Sequence, residues 1–214
     1  MNKINDLLSG KMIIDEVDSP INGKLQVVKD ITWGTHITGG GLTQSGGVAK
    51  SVWNHTLKKV KDFKTELNSC LILGLGGGSI AELTHKYLGE KVKITGVDID
   101  PIFINLGRKH LKLDEYGVKA VIDDAYEFVK NDRHKYDLIC VDTYVGDQFP
   151  VSLEEEVFIK RVKKLLNKDG VAVFNRLYYD EKRKEAEDFE KVLEKVFSKV
   201  ERNYPEANLM FLCS

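Results

Sequence analysis

Three aspartate-bearing strand ends and one glycine turn are where this sequence can build chemistry. The turn, Leu73-Gly74-Leu75-Gly76-Gly77-Gly78-Ser79, follows an apolar run and leads straight into a helix-like segment. Glycines there let the backbone bend tightly and let a ligand approach main-chain N–H groups at a helix N-terminus. Alone, such a turn is as readily steric as functional. About twenty residues further on, a β-branched run ends in Val97-Asp98-Ile99-Asp100, and an acid at that spacing accepts hydrogen bonds from ribose hydroxyls. The two together mark a nucleoside-ligand site formed by Gly74, Gly76, Gly77, Gly78, Asp98 and Ile99. The competing role for Asp98, capping the next helix, falls better to Asp100, which directly precedes Pro101. A metal–sugar-nucleotide role for the two acids would leave the glycine turn unexplained.

The next strand end is Ile122-Asp123-Asp124-Ala125. A carboxylate or main-chain amide there meets the adenine edge of a nucleoside lying across the sheet, so Asp123, Asp124 and Ala125 join the candidate set. With two acids in succession, one can cap the following helix while the other binds. Nicotinamide-binding folds do not usually place an acid here, which tilts the ligand from NAD towards S-adenosylmethionine. The following strand ends in Cys140-Val141-Asp142, then Thr143-Tyr144-Val145-Gly146-Asp147-Gln148-Phe149-Pro150. Asp142 falls at the reacting end of the ligand, where a carboxylate can orient an amine and take its proton. Amine attack on a sulfonium carbon requires a neutral nitrogen. Tyr144 and Phe149 are expected to wall the pocket and stack on a cationic substrate; the alternative is a polar turn whose two aromatics cover the sheet edge. Asp142 and Tyr144 are the candidate catalytic residues.

The elements that must position these residues alternate regularly. Strand-like runs at 70–75, 92–97, 118–122, 136–141 and 170–175 are interleaved with helical segments at 79–88, from 101, near 125–129, at 153–166 and at 180–200. In the last helix Ala186, Phe189, Leu193, Val196 and Val200 share one face, so its charged run reads as a solvated face. A closing hairpin is expected at 200–203 and 208–213. Residues 1–48 differ: short strand-like runs at 12–17, 25–29 and 32–38 end in the glycine-dense stretch 39–47. The predicted architecture is α/β, a doubly wound, mostly parallel seven-stranded sheet, with a small N-terminal antiparallel β unit. The expected boundary separates 1–48 from a nucleotide-binding catalytic domain at 49–214.

Composition bounds the partners. The 214 residues carry 32 basic and 33 acidic side chains, a formal charge of -1, which argues against a broad nucleic-acid-binding surface. No apolar stretch approaches the ~20 residues that span a bilayer, and MNKINDLLSG lacks a signal-peptide core. Cys70, Cys140 and Cys213, odd in number and set in apolar runs, read as free thiols in a reducing compartment. The expectation is a cytoplasmic protein with no membrane or nucleic-acid partner. The five histidines show no metal-ligand spacing, so no metal site is predicted.

The order Gly74-Leu75-Gly76-Gly77-Gly78-Ser79, Val97-Asp98-Ile99-Asp100, Asp123-Asp124-Ala125 and Tyr136-Asp137-Leu138-Ile139-Cys140-Val141-Asp142 resembles spermidine synthase and its methyltransferase-like relatives. Gly41-Leu42-Thr43-Gln44-Ser45 is similar to that family's segment joining the hairpin unit to the nucleotide domain, so the likeness runs from about Asp15 to Leu177. It implies a Rossmann-like methyltransferase fold, with Gln44 at the nucleoside or its methylthio end, Asp98 at the ribose, Asp124 at the adenine amine and Asp142 as acid–base residue. It implies a small-molecule amine as substrate and makes a homodimer the assembly to test. Three positions depart from the family. The acid usually inside the glycine turn is Gly77, the second loop acid is Val145, and the segment at the substrate gate is Trp53-Asn54-His55. Without the turn acid, main-chain donors would suit the carboxylate of intact S-adenosylmethionine. The leading expectation is therefore a transferase of S-adenosylmethionine, leaning towards methyl transfer to an amine. The alternatives are aminopropyl transfer from decarboxylated S-adenosylmethionine, a nucleoside-binding protein without catalysis, and, with no catalytic arrangement to support it, a nicotinamide-dependent oxidoreductase.

Overall fold

A computed structural model describes residues 10–63 and 66–214. All but Gly10 of the segment on which the signal-peptide expectation rests lies outside them. Four antiparallel strands, β1 (Lys11–Ser19), β2 (Gly23–Asp30), β3 (Gly34–Gly39) and β4 (Leu42–Ser45), form a small sheet in that order. The fourth was not visible in sequence, because glycine depresses strand propensity. Here Gly40 (φ 59°) and Gly41 (φ 82°) form the tight turn that folds 42–45 back onto β3.

Helix α1 (Gly47–Phe63) leads into β5 (Ser69–Leu73), α2 (Ser79–Leu88), β6 (Lys93–Asp98), α3 (Pro101–His110), β7 (Lys119–Ile122), α4 (Ala125–Asn131) and β8 (Tyr136–Val141). After these come α5 (Glu156–Leu165), β9 (Leu166–Leu177), α6 (Lys182–Val196), β10 (Val200–Asn203) and β11 (Asn208–Cys213). The seven strands run β10-β11-β9-β8-β5-β6-β7; β11 is antiparallel to both its neighbours and the pairs from β9 to β7 are parallel. Period-two alternation sends Leu71, Leu73, Ile139 and Val141 into one buried layer, with Phe158, Phe189 and Leu193 of α5 and α6. It sends Cys70, Ile72, Leu138 and Cys140 into the opposite layer, with Trp53, Leu57, Ile80 and Leu83 of α1 and α2. All three cysteines are buried and unpaired.

Two helix bounds differ from expectation. The segment expected to be one helix from 153 is split: 151–153 form a 3-10 turn after Pro150, and α5 starts only at Glu156. The last helix stops at Val196, since Phe197 turns extended and packs against Phe174 while Val200 opens the edge strand. Among the described residues no helix is long and apolar enough to cross a membrane.

One carboxylate joins the two sheets. Asp100 caps α3, accepting from the N–H groups of Ile102 (2.9 Å) and Phe103 (3.4 Å). Its other oxygen accepts from Ser19 Oγ and Asn22 Nδ2, both at 2.6 Å, at the β1–β2 turn. The capping role assigned to Asp100 in sequence is thus its role in the structure. Asp100→Ala should cost about 2–4 kcal/mol, one cap plus two orphaned partners, measured as a lower urea midpoint at unchanged slope.

Candidate active site

Sheet order reverses between β5 and β8, and a ligand cleft is expected outside the carboxyl ends of strands at such a point. A cleft opens there. Gly74 and Gly76 form its floor, Asp98 and Ile99 one wall, Asp123, Asp124 and Ala125 the far end, and Gln44, Trp53, Asp142 and Tyr144 the near end. Ten of the twelve sequence-predicted site residues therefore meet in one cavity.

The floor requires glycine at Gly74. Its φ is 89°, and a Cβ there would lie 2.1 Å from the carbonyl oxygen of Asp142. This close approach seats the β5 turn against the end of β8. Asp98 holds the turn from the other side: one oxygen accepts from Gly76 N–H at 2.6 Å, the other from Asp100 N–H at 2.9 Å. Burial pushes its carboxyl above the ordinary range, against the pull of those two N–H groups. A carboxylate has about four acceptor sites, so ribose hydroxyls can still be received. Asp124 uses a single oxygen to cap α4, accepting from Tyr126 N–H (2.9 Å) and Glu127 N–H (3.1 Å). Its second oxygen remains available at the cleft, so one acid can both cap and bind. Asp123 accepts from the adjacent Asp124 N–H (2.9 Å).

Gly77 and Gly78 do not line the cleft, contrary to expectation. A Cβ on Gly77 would lie 2.7 Å from Leu111 Cδ1 and 2.8 Å from Ser45 Oγ, and Gly107 of α3 crosses directly over its Cα. β4 and α3 leave no room for a side chain at this position, which is why it is glycine. Gly78, at φ 94°, caps α2 with its Cα facing Leu113.

Asp142 is gripped by two neutral donors, Trp53 Nε1–H at 2.6 Å and Asn175 Nδ2–H at 2.7 Å. Asn208 in turn donates to Asn175 Oδ1 at 2.8 Å, fixing that amide's orientation. Burial raises the Asp142 carboxyl above its ordinary range, with the Asn175 and Trp53 bonds pulling it down. Among the described residues no cation pairs with it, so it is suited to receive a proton or an ammonium group. Trp53 appeared in sequence only as a departure, and Asn175 was missed. Its signal was a polar residue ending the apolar run 171–174 beside the Asp142 strand.

Other expectations change here. The Tyr144 hydroxyl donates to Asn175 C=O (3.3 Å) and accepts from Leu177 N–H (2.9 Å), and burial pushes it well above the ordinary tyrosine range. Tyr144 lines the cleft, as expected, with its hydroxyl bonded into β9. Phe149 does not wall the cleft. It is buried against Tyr144, Phe189 and the Arg176 guanidinium. Gln44 donates to Gly146 C=O (3.1 Å) and Gly39 C=O (3.4 Å), tying the small sheet to the loop after β8 and keeping its carbonyl for a ligand. Asn54 accepts from Tyr87 and His55 bonds to Ser51 C=O, both away from the cavity.

A second cavity adjoins the first and shares Gln44, Ala49, Asp142 and Tyr144 with it. Two compartments meeting at one buried carboxylate suit a transfer between a nucleoside-bearing donor and a second molecule. Among the described residues no cluster of three or more His, Cys, Asp or Glu could hold a metal ion.

A family model described as the spermine/spermidine synthase domain matches residues 45–206. A polyamine aminopropyltransferase of Neisseria meningitidis serogroup A is 38% identical over 105 residues, 48% of this chain and 40% of that protein. One from Clostridium botulinum is 31% identical over 159 residues, 68% of this chain and 55% of that protein. The chain thus matches about half the length of these curated relatives. In structure it is similar to a probable spermidine synthase from Corynebacterium glutamicum, with a TM-score of 0.80 at 18% identity, covering 95% of this chain and 80% of that one. At that identity the likeness concerns the fold alone.

Proposed function

The chain belongs to the spermine/spermidine synthase family, and from that premise we propose that it transfers an aminopropyl group from decarboxylated S-adenosylmethionine to an amine. The observation that carries the choice of donor is the charge of the cleft. Asp98, Asp123, Asp124 and Asp142 line it, and among the described residues no lysine, arginine or histidine does. The decarboxylated donor brings a sulfonium and an ammonium with no carboxylate, so an acidic cleft favours it. Intact S-adenosylmethionine would bring a carboxylate to a wall without a basic partner. This reverses the leaning towards methyl transfer, which rested on the main-chain donors that the missing turn acid would leave for a carboxylate; the family of the chain supports the aminopropyl alternative instead.

In the proposed reaction the acceptor amine enters from the second cavity and gives its proton to Asp142. Its lone pair forms a C–N bond to the aminopropyl carbon beside sulfur. The C–S bond breaks, and its electron pair neutralises the sulfonium to a thioether, leaving methylthioadenosine. Trp53 and Asn175 hold the carboxylate in line with both cavities.

Calorimetry with the two donors tests the reading. The decarboxylated form should bind at least about tenfold tighter, the equivalent of one charged interaction. A preference for intact S-adenosylmethionine would reinstate methyl transfer. Tight binding of the decarboxylated donor with no thioether released against any amine would leave a nucleoside-binding protein. Gly77→Asp cannot serve as this test, since its side chain would have to enter packed space between Leu111 and Ser45.

A further inference from the structure

Behind Asn175 stands Asn208, the first residue of β11 and part of the second cavity's lining. Hydrogen bonds run one way through three side chains. Asn208 Nδ2 donates to Asn175 Oδ1 at 2.8 Å, and Asn175 Nδ2 donates to Asp142 Oδ1 at 2.7 Å. A side-chain amide has two ends of equal size and opposite polarity. Turned over, Asn175 would aim its carbonyl at Asp142, which repels the carboxylate and accepts from the protonated acid. Asn208 selects between the two senses, because the Asn175 oxygen is the atom it holds. The selection is made by strand pairing: β11 lies antiparallel on β9, with Asn208 opposite Leu177 and Met210 opposite Asn175.

We infer that Asn208 is a positioning residue for proton transfer: it keeps the Asn175 N–H group, and not the carbonyl, on Asp142, so that the ionised base is favoured over the protonated acid. This rests on Asp142 being the base of the transfer proposed above. The other titratable groups beside Asp142 do not set its ionisation. Cys140 on its own strand and Tyr144 in the following loop are both pushed up by burial, so they stay neutral where a carboxyl titrates. From the packed elements α1 presents Trp53, β4 presents Gln44 and β5 presents Gly74, none of them charged. Arg176 of β9 faces the opposite side of the sheet from Asn175 and pairs with Glu154. Asp98 is held by Gly76 and Asp100 N–H groups, and Glu206, before β11, accepts from Ser51 Oγ at 3.0 Å.

Carboxyl-carbon NMR of the full chain reads the ionisation of Asp142 without any need for turnover, its resonance being assigned by its loss in Asp142→Asn. Asn208→Leu, similar in size but without a donor, should raise the Asp142 midpoint by at least about half a pH unit, because the freed Asn175 amide can turn to accept from the protonated acid. Asn208→Asp demands a donor from Asn175 and should raise the midpoint by at least about one unit. Asn175→Ala removes the donor itself, so adding Asn208→Leu to it should move the midpoint no further. A midpoint that stays put in either Asn208 variant would overturn the inference. So would an Asn208→Leu shift that persists in the Asn175→Ala background, since the effect would then not pass through the amide. In steady-state kinetics the acid limb of amine turnover should move up with the NMR midpoint, whereas a merely structural loss would lower the rate at every pH. A limb that stays while the midpoint moves would also overturn it. If the midpoints shift as stated but no amine is turned over with the decarboxylated donor, the orientation of Asn175 by Asn208 stands and the aminopropyl-transfer reading fails.

Discussion

Asp142→Asn is expected to cut turnover of an amine acceptor at least about a hundredfold while leaving donor affinity within about twofold. The amide keeps the size of the carboxylate but cannot accept the proton that the attacking nitrogen must lose. Donor affinity should survive, because Gly74, Gly76, Asp98 and Asp124 lie along the other strand ends. The pH profile separates this role from a structural one. In the wild type the rate should rise with pH as Asp142 ionises, above the ordinary carboxylate range, because burial raises its pKa. That acid limb should be absent in Asp142→Asn, whose residual rate would instead climb steadily towards the pKa of the free amine, where solution supplies the neutral nitrogen. Steady-state rates between pH 5 and 10 would show this. If the variant loses donor affinity as much as rate, Asp142 belongs to the nucleoside pocket. If it turns over the amine equally well, the proton-transfer step is wrong.

Asp98→Ala should weaken methylthioadenosine binding at least about tenfold. Two hydrogen bonds from ribose hydroxyls to a charged acceptor contribute on the order of 1.5–3 kcal/mol each. Sequence reasoning alone would expect the ligand-free melting temperature to stay nearly constant. The structure changes that expectation, because Asp98 also receives Gly76 N–H and Asp100 N–H. Alanine would orphan both, so the melting temperature without ligand should fall as well. Asp98→Asn retains one acceptor oxygen and should lie between the two in both affinity and melting temperature. Calorimetry with thermal denaturation on the three proteins reads both effects. Affinity that does not change in Asp98→Ala would remove the ribose from this strand end.

The site was largely legible in sequence because its parts are local. Each strand end places its acid within a few residues of a turn, and period-two apolar runs identify the strands that bring those ends to one sheet edge. Hence Gly74, Asp98, Asp124 and Asp142 were each recognisable from their neighbours alone, and Asp100 could be separated from Asp98 by its place before Pro101. The doubly wound sheet and the closing hairpin followed from the same periodicity. What sequence could not determine was direction: which way a group faces once distant elements pack on it. Gly77 looked like a wall of the cleft, but α3 and β4 cover it, a contact between residues thirty or more positions apart. Tyr144 was placeable on the pocket wall, but the anchoring of its hydroxyl in β9 was not readable from its neighbours. The grip of Trp53 and Asn175 on Asp142 joins α1, β8 and β9, and the second cavity forms where those elements meet the small sheet. Local chemistry is written in short spacings, whereas burial and hydrogen-bond partnership depend on long-range packing, and it is packing that decided the charge of each cavity.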